Sequence, residues 1–149
     1  MIKLSTKGRY ASRAVLEMAL GYGKGPILLR EIAQKQDISE RYLERIMNTL
    51  VSAGIIQSTR GQNGGFSLKR PPSDITLATV IEAVEGQISP VTCVDNPESC
   101  PRHPICVTRD IWIELKSAMM NLLNSITLHD MVGMYHHKNS TSEHQMYYI

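Results

Sequence analysis

Three cysteines stand close together in the sequence, Cys93, Cys100 and Cys106, separated by six and then five residues. Thiolates are soft ligands suited to iron–sulfur clusters or zinc, and three of them on one short stretch can converge on a single centre. The spacing lacks the tight Cys-x-x-Cys pairs of ferredoxins and most zinc ribbons, so three chemistries stay open. One is an iron–sulfur cluster. Another is zinc, for which His103 would complete a Cys3His set with Cys93, Cys100 and Cys106. The third is reactive thiols. Structural cysteines with no further role are the plainest alternative, and clustering on a polar stretch argues against it. An odd cysteine count also argues against a disulfide framework.

The stretch that carries the cysteines, residues 86–107, holds prolines at 90, 97, 101 and 104 and shows neither helical nor strand period. A loop of this length in a small protein is usually functional or disordered. What must position it lies on either side. Before it, Thr76–Glu85 places Leu77, Val80, Ile81 and Val84 on one helical face. After it, Thr108 can cap a helix over 109–127, roughly 28 Å long. Ile111, Leu115, Ala118, Met119, Leu122 and Ile126 form a stripe on that helix, widened by Trp112 and Leu123. This is more apolar surface than a lone helix can hide, which predicts a homodimer seam. Residues 133–149 are polar and rich in His, Ser and Tyr, and read as a disordered tail in which His136 and His137 are solvated.

The N-terminal half has a different chemistry. Residues 1–70 carry 12 Lys/Arg against 5 Asp/Glu, a net of +7, whereas residues 71–149 carry 4 against 9, a net of −5. A basic half joined to an acidic half points to a polyanion for the first and another task for the second. Ser5 or Thr6 can cap a first helix reaching about Tyr22, with Ala11, Ala14, Val15, Met18 and Ala19 on its inner face. A short helix with Leu29, Ile32 and Ala33 inside follows, broken at Asp37-Ile38-Ser39. Ser39 caps a third helix over 40–53, which buries Leu43, Ile46, Met47 and Leu50 and ends at Gly54. Two strand-like runs, 55–60 and 66–68, flank Gly61-Gln62-Asn63-Gly64-Gly65, where Asn-Gly is a strong hairpin signal.

Helix, short turn, capped helix and Gly-rich hairpin form the layout of a winged helix-turn-helix. The third helix would read base edges in the major groove of double-stranded DNA. On it, Arg41 and Arg45 can contact guanine or phosphate, and Glu44 can accept from cytosine N4, with Ser39 and Tyr42 at its start. Arg60 and Gly64 belong to the hairpin, which can reach an adjacent groove. Lys3, Lys7, Arg9 and Arg13 can neutralise phosphates, which position a protein without reading sequence. No nucleophile–base pair or phosphate-binding loop appears, so an enzyme is not expected. An electron-transfer protein would explain the cysteines but not the basic winged helix. Met1-Ile2-Lys3-Leu4-Ser5 shows no apolar signal region and no apolar run approaches the roughly 20 residues of a membrane helix. A cytoplasmic location without a membrane partner is the expectation.

Several separate segments resemble one family. Leu4-Ser5-Thr6-Lys7-Gly8-Arg9-Tyr10, Ile38-Ser39 with Tyr42-Leu43-Glu44, Thr59-Arg60-Gly61 with Gly64-Gly65-Phe66, and Cys106-Val107-Thr108-Arg109-Asp110-Ile111-Trp112 through Ile126-Thr127-Leu128 are similar to the bacterial regulators of the IscR, NsrR, RirA and CymR types. The likeness spans about residues 1–132. It implies a mostly α fold: a winged helix-turn-helix over 1–72, a cluster-binding loop and long C-terminal dimerisation helix over 73–132, and the tail beyond. It further implies that the position of Glu44 selects between classes of DNA site and that the position of Arg60 contacts DNA.

The resemblance also implies an iron–sulfur cluster on Cys93, Cys100 and Cys106, with 2Fe–2S favoured and 4Fe–4S open. One departure stands out. IscR-type members place a histidine ligand three residues after the last cysteine, where this chain has Arg109, a guanidinium that stays protonated and ligates poorly. NsrR-type members use an Asp in the first helix, where this chain has Arg9 or a close neighbour. The fourth ligand is therefore open among His103, Asp110, an acidic loop residue and an exogenous thiol or water. The expected function is a dimeric regulator that senses iron–sulfur cluster status and controls iron–sulfur biogenesis or related genes. Nitric-oxide, iron or thiol sensing, or a zinc-stabilised regulator, are the alternatives.

Overall fold

The computed structural model describes residues 3–146, with side chains through Ser142. Within them the helices α1 (Thr6–Leu20), α2 (Leu29–Gln36) and α3 (Glu40–Ser52) lead into an antiparallel hairpin, β1 (Ile56–Thr59) and β2 (Gly65–Leu68). Then follow α4 (Leu77–Glu85), the single-turn α5 (Thr92–Asp95), the long α6 (Val107–Ser125) and α7 (Leu128–Met146). The architecture is mostly helical with a hairpin wing, as the sequence predicts.

Hydroxyl caps set three of the helix starts. Ser5 accepts from the Gly8 N–H, Ser39 from Tyr42 and Thr76 from Thr79. Each satisfies one backbone donor that the first turn leaves without a partner. Asp37 closes α2 in the left-handed region at φ 53°, so only Asp37–Ser39 separate α2 from α3. This tight corner aims α3 across the body. The core below it is aliphatic: Ala11, Ala14 and Val15 of α1, Ile32 of α2, and Leu43, Ile46, Met47 and Leu50 of α3 are all essentially inaccessible.

The wing departs from the expected Asn-Gly turn. Thr59 pairs with Gly65, leaving a five-residue loop over 60–64. Asn63 and Gly64 do not take positive φ; Gly61 (106°) and Gly65 (144°) do. The wider loop closes instead on the Gly64 N–H, which donates to the Gly61 carbonyl at 3.0 Å. Gly65 is required twice over. Its φ is one that side chains rarely adopt, and a Cβ there would lie 2.4 Å from the Ile27 carbonyl oxygen. That approach is forced because Ile27 and Phe66 exchange N–H···O bonds of 2.9 and 2.8 Å, joining the wing to the segment before α2.

Pro71-Pro72 marks a turn in the chain, not a break in the core. Ile75, Val80 and Val84 from the α4 region, and Leu128 from α7, lie in the same buried cluster as α1 and α3. The α6–α7 corner is fastened to the start of α4: Leu77 N–H donates to the Ile126 carbonyl (2.8 Å) and Leu128 N–H to that of Ile75 (2.9 Å).

Residues 133–146 are not the disordered tail expected from composition; they continue α7. Two features the composition hides explain this. Thr127 and Asp130 form a reciprocal cap, Thr127 N–H to Asp130 Oδ2 at 2.9 Å and Asp130 N–H to Thr127 Oγ1 at 3.1 Å. The Thr127 N–H and hydroxyl, both donating to Asp130 Oδ2, hold the Asp130 carboxyl below its usual range. Met131 and Val132 then pack on the core, so the helix is nucleated before its polar part begins. Residues 147–149 lie outside the described residues. Helix α6 also starts earlier than Thr108, with Cys106 in the capping position.

Candidate nucleic-acid interface and cysteine loop

The outer face of α3 presents Arg41, Glu44 and Arg45, all exposed, with Asn48 one turn further on. None of Arg41, Glu44, Arg45 or Arg60 forms an ion pair among the described residues. Ser39, Arg41, Tyr42 and Arg45 line a shallow depression at the start of α3. Ser39 spends its hydroxyl on the cap, and half-buried Tyr42 packs edge-on against Tyr10 of α1, ring centroids 5.9 Å apart. These two therefore orient the helix, while the arginines and Glu44 face outward. Arg60 stands exposed where β1 turns into the wing loop. Gly64 is buried and its N–H is taken by Gly61, so its part is to shape the wing.

The basic residues of α1 and just before it divide. Lys3 and Arg9 are exposed and Lys7 half-buried, with an Arg9 Nη contacting Thr6 Oγ1 at 3.1 Å. Arg13 has another engagement: its Nε donates to Gln36 Oε1 at 2.7 Å, a terminal nitrogen reaches the Gln36 carbonyl, and the guanidinium carbon lies 5.4 Å from the Tyr10 ring centroid. It ties α1 to the end of α2, where a cation also suits the carbonyl end of a helix.

The cysteine loop runs over the start of α6. Cys93 lies on α5, Cys100 follows the turn Pro97–Ser99, and Cys106 stands at the residue before α6; all three are half-buried. The Thr108 hydroxyl, 3.2 Å from Cys106 Sγ, together with the backbone at Arg109, holds the Cys106 thiol below the ordinary thiol range. In kind, this donor set suits a thiolate-ligated group. In arrangement it is not assembled: among the described residues no three His, Cys, Asp or Glu side chains gather as a metal site. His103 sits with Nδ1 3.0 Å from the Cys100 carbonyl and Nε2 4.0 Å from Glu98 Oε1. Asp110 is exposed in the first turn of α6.

Arg109, read from the sequence only as standing where a ligand is missing, and Lys116 hold the loop. Arg109 Nε donates to the Cys93 carbonyl at 2.9 Å, and Lys116 pairs with Asp95, holding the Asp95 carboxyl below its usual range. Arg109 and Lys116 lie seven positions apart, two turns on one face of α6, so both reach α5. Their only signal in the sequence was that spacing beside an acidic loop, and the path of an aperiodic loop is not readable from sequence. On α6 itself no residue is buried. Ile111 and Leu122 are 55% and 60% exposed, and Val107 and Trp112 are also open.

No helix among the described residues is long and apolar enough to cross a membrane. A family model described as an iron-dependent transcriptional regulator, Rrf2, matches residues 4–134. Protein rrf2 of Nitratidesulfovibrio vulgaris is 40% identical over 131 residues, 88% of this chain and 87% of that protein. The solved structure of CymR, the global cysteine regulator of B. subtilis, superposes with a TM-score of 0.78 at 37% identity, covering 90% of this chain and 98% of the other. That of T. potens IscR gives 0.75 at 35% identity over 89% and 88% of the two chains. The likeness runs through the winged module, the cysteine loop and the long helix alike, so the chain belongs to the Rrf2 family of transcription regulators and to no class of enzyme.

Proposed function

We propose that the chain acts as a homodimer on double-stranded promoter DNA, with residues 1–72 reading the site and residues 73–132 sensing and dimerising. In this reading Arg41, Glu44 and Arg45 of α3 face base edges, Arg60 enters from the wing, and Lys3, Lys7 and Arg9 meet phosphates. The cysteine loop is the sensing element. Its occupant is an iron–sulfur cluster on Cys93, Cys100 and Cys106, 2Fe–2S in first place, and the genes controlled serve iron–sulfur biogenesis or related needs. The observation that supports this is the placement of three half-buried thiols on one loop at the start of the exposed helix α6. Bound there, such a group would supply oxygen- and redox-labile ligation at the junction between winged module and dimer helix.

The test is purification without oxygen, a visible spectrum, and iron and sulfide assays. A thiolate-ligated chromophore is expected, lost in each of Cys93→Ala, Cys100→Ala and Cys106→Ala while the chain remains folded. A second reading is a cluster-free thiol regulator, as the CymR likeness suggests. The specific observation favouring it is that Arg109 and Lys116 close the loop on protein atoms. Colourless protein carrying no iron after reconstitution would favour that reading, and one zinc per chain would favour a Cys3His site with His103.

On DNA, Glu44→Ala should broaden the range of sites bound, because a carboxylate near DNA discriminates mainly by rejecting the wrong base. Selection from a random pool measures this, and an unchanged consensus in the variant would remove Glu44 from site choice. Arg60→Ala should lower affinity across all sites.

A further inference from the structure

The segment Leu4–Tyr10, prominent in the sequence, takes part in an interaction that the DNA-reading face does not by itself account for. Glu85, the last residue of α4, reaches back to the start of α1. Its Oε1 accepts the Gly8 N–H at 2.9 Å and a hydrogen bond from the Ser5 hydroxyl. Gly8 is buried there, and a Cβ at this position would lie 2.6 Å from the same carboxylate oxygen. Glycine is what lets the two helices meet through this bond. The turn so fixed is the one that carries Lys7 and Arg9 and follows Lys3. Tyr10, at its end, leans on Tyr42 in the first turn of α3. On the other side of Glu85 the chain enters the cysteine loop at Gly86.

We infer that Glu85 is a positioning residue for DNA binding: its carboxylate fixes the first turn of α1, and with it Lys3, Lys7 and Arg9, against the phosphate backbone. The inference rests on the proposed phosphate role of these three residues. Its chemistry separates cleanly from a simple charge effect. An exposed carboxylate beside a basic DNA-facing surface repels phosphate, so on charge alone its removal strengthens binding. As a positioning group its removal weakens binding, because side chains no longer held in register release fewer counterions.

The test uses the full chain, with Glu85→Ala, which removes the acceptor, and Gly8→Ala, on a duplex of mixed sequence. Affinity is measured by fluorescence anisotropy over a salt series. Gly8→Ala sets a Cβ against the Glu85 carboxylate and displaces it without changing charge, and Ala in place of Gly favours the helix itself. Thermal melting followed by circular dichroism establishes that both variants are folded. The expected result is several-fold weaker binding by both variants, with the slope of log affinity against log salt reduced by about 0.9 for each phosphate no longer neutralised. Unchanged slopes, or tighter binding by Glu85→Ala with Gly8→Ala unaltered, would overturn the inference and leave Glu85 a structural cap. Parent protein that binds without salt dependence would instead overturn the phosphate reading on which it rests.

Discussion

Replacing Ile111 and Leu122 together by Asp will give a folded chain that sediments at the protomer mass of 16.7 kDa and loses tight DNA binding. The two side chains are 55% and 60% exposed within the protomer, so the substitution removes little from its own core. They stand eleven positions apart, three turns along α6, and so lie on one face. Exposed apolar surface of this extent on a helix with no buried residue calls for a partner, and a second copy of the same stripe is self-complementary in the way a two-fold interface requires. Two charges buried there without partners would cost several kcal/mol, enough to dissociate an interface of ordinary strength. Because two linked recognition helices gain affinity from effective concentration, the monomer should bind a two-half-site duplex on the order of a hundredfold more weakly. Sedimentation velocity and anisotropy on the same samples check both parts. A soluble variant that still sediments as a dimer would move the interface off this face.

The choice of Ile111 and Leu122 shows what the sequence could and could not convey. The stripe from Ile111 to Ile126 is visible as a period, but period does not say which members the chain covers by itself. Leu115 and Met119 are half-buried within the protomer, whereas Ile111 and Leu122 are open. The N-terminal module was the most legible part, because its signals are local. Capping hydroxyls at Ser5 and Ser39 and the inner faces of α1 and α3 each act within a few residues. What failed to show depended on distant partners. Asn63-Gly64 suggested a tight turn, but the docking of Phe66 on Ile27 moved the positive φ to Gly61 and Gly65. The polar composition after residue 132 suggested disorder, while the cap at Thr127 and the docking of Met131 and Val132 start a helix that continues to Met146. Arg13 reads as one more phosphate ligand until Gln36, 23 residues away, is seen to hold it.

The cysteine loop was legible as donors and illegible as geometry, and this sets up the other large effect expected. The loop should remain ordered in protein stripped of metal and kept reduced, and should open in Arg109→Ala combined with Lys116→Ala. A charge-assisted hydrogen bond such as that from Arg109 to the Cys93 carbonyl contributes about 1.5–3 kcal/mol where it is shielded from water. Arg109 is half-buried, which favours the lower part of that range; the Lys116–Asp95 pair, with side chains 27% and 25% exposed, adds at most about 1 kcal/mol. Together these correspond to roughly a 10- to 100-fold rise in the open population of residues 91–106. Hydrogen exchange on the metal-free chain reads this directly, with the amides of α1 and α3 as an internal control that should not change. If the parent loop exchanges as fast as the double variant, the two cations do not hold it, and order in this region must come from a bound group. If the parent loop is protected and the variant is not, the cysteines are presented on a scaffold that stands without metal. An occupant would then act by rearranging an ordered loop, drawing Cys93 away from the Arg109 tether, and not by folding a disordered one.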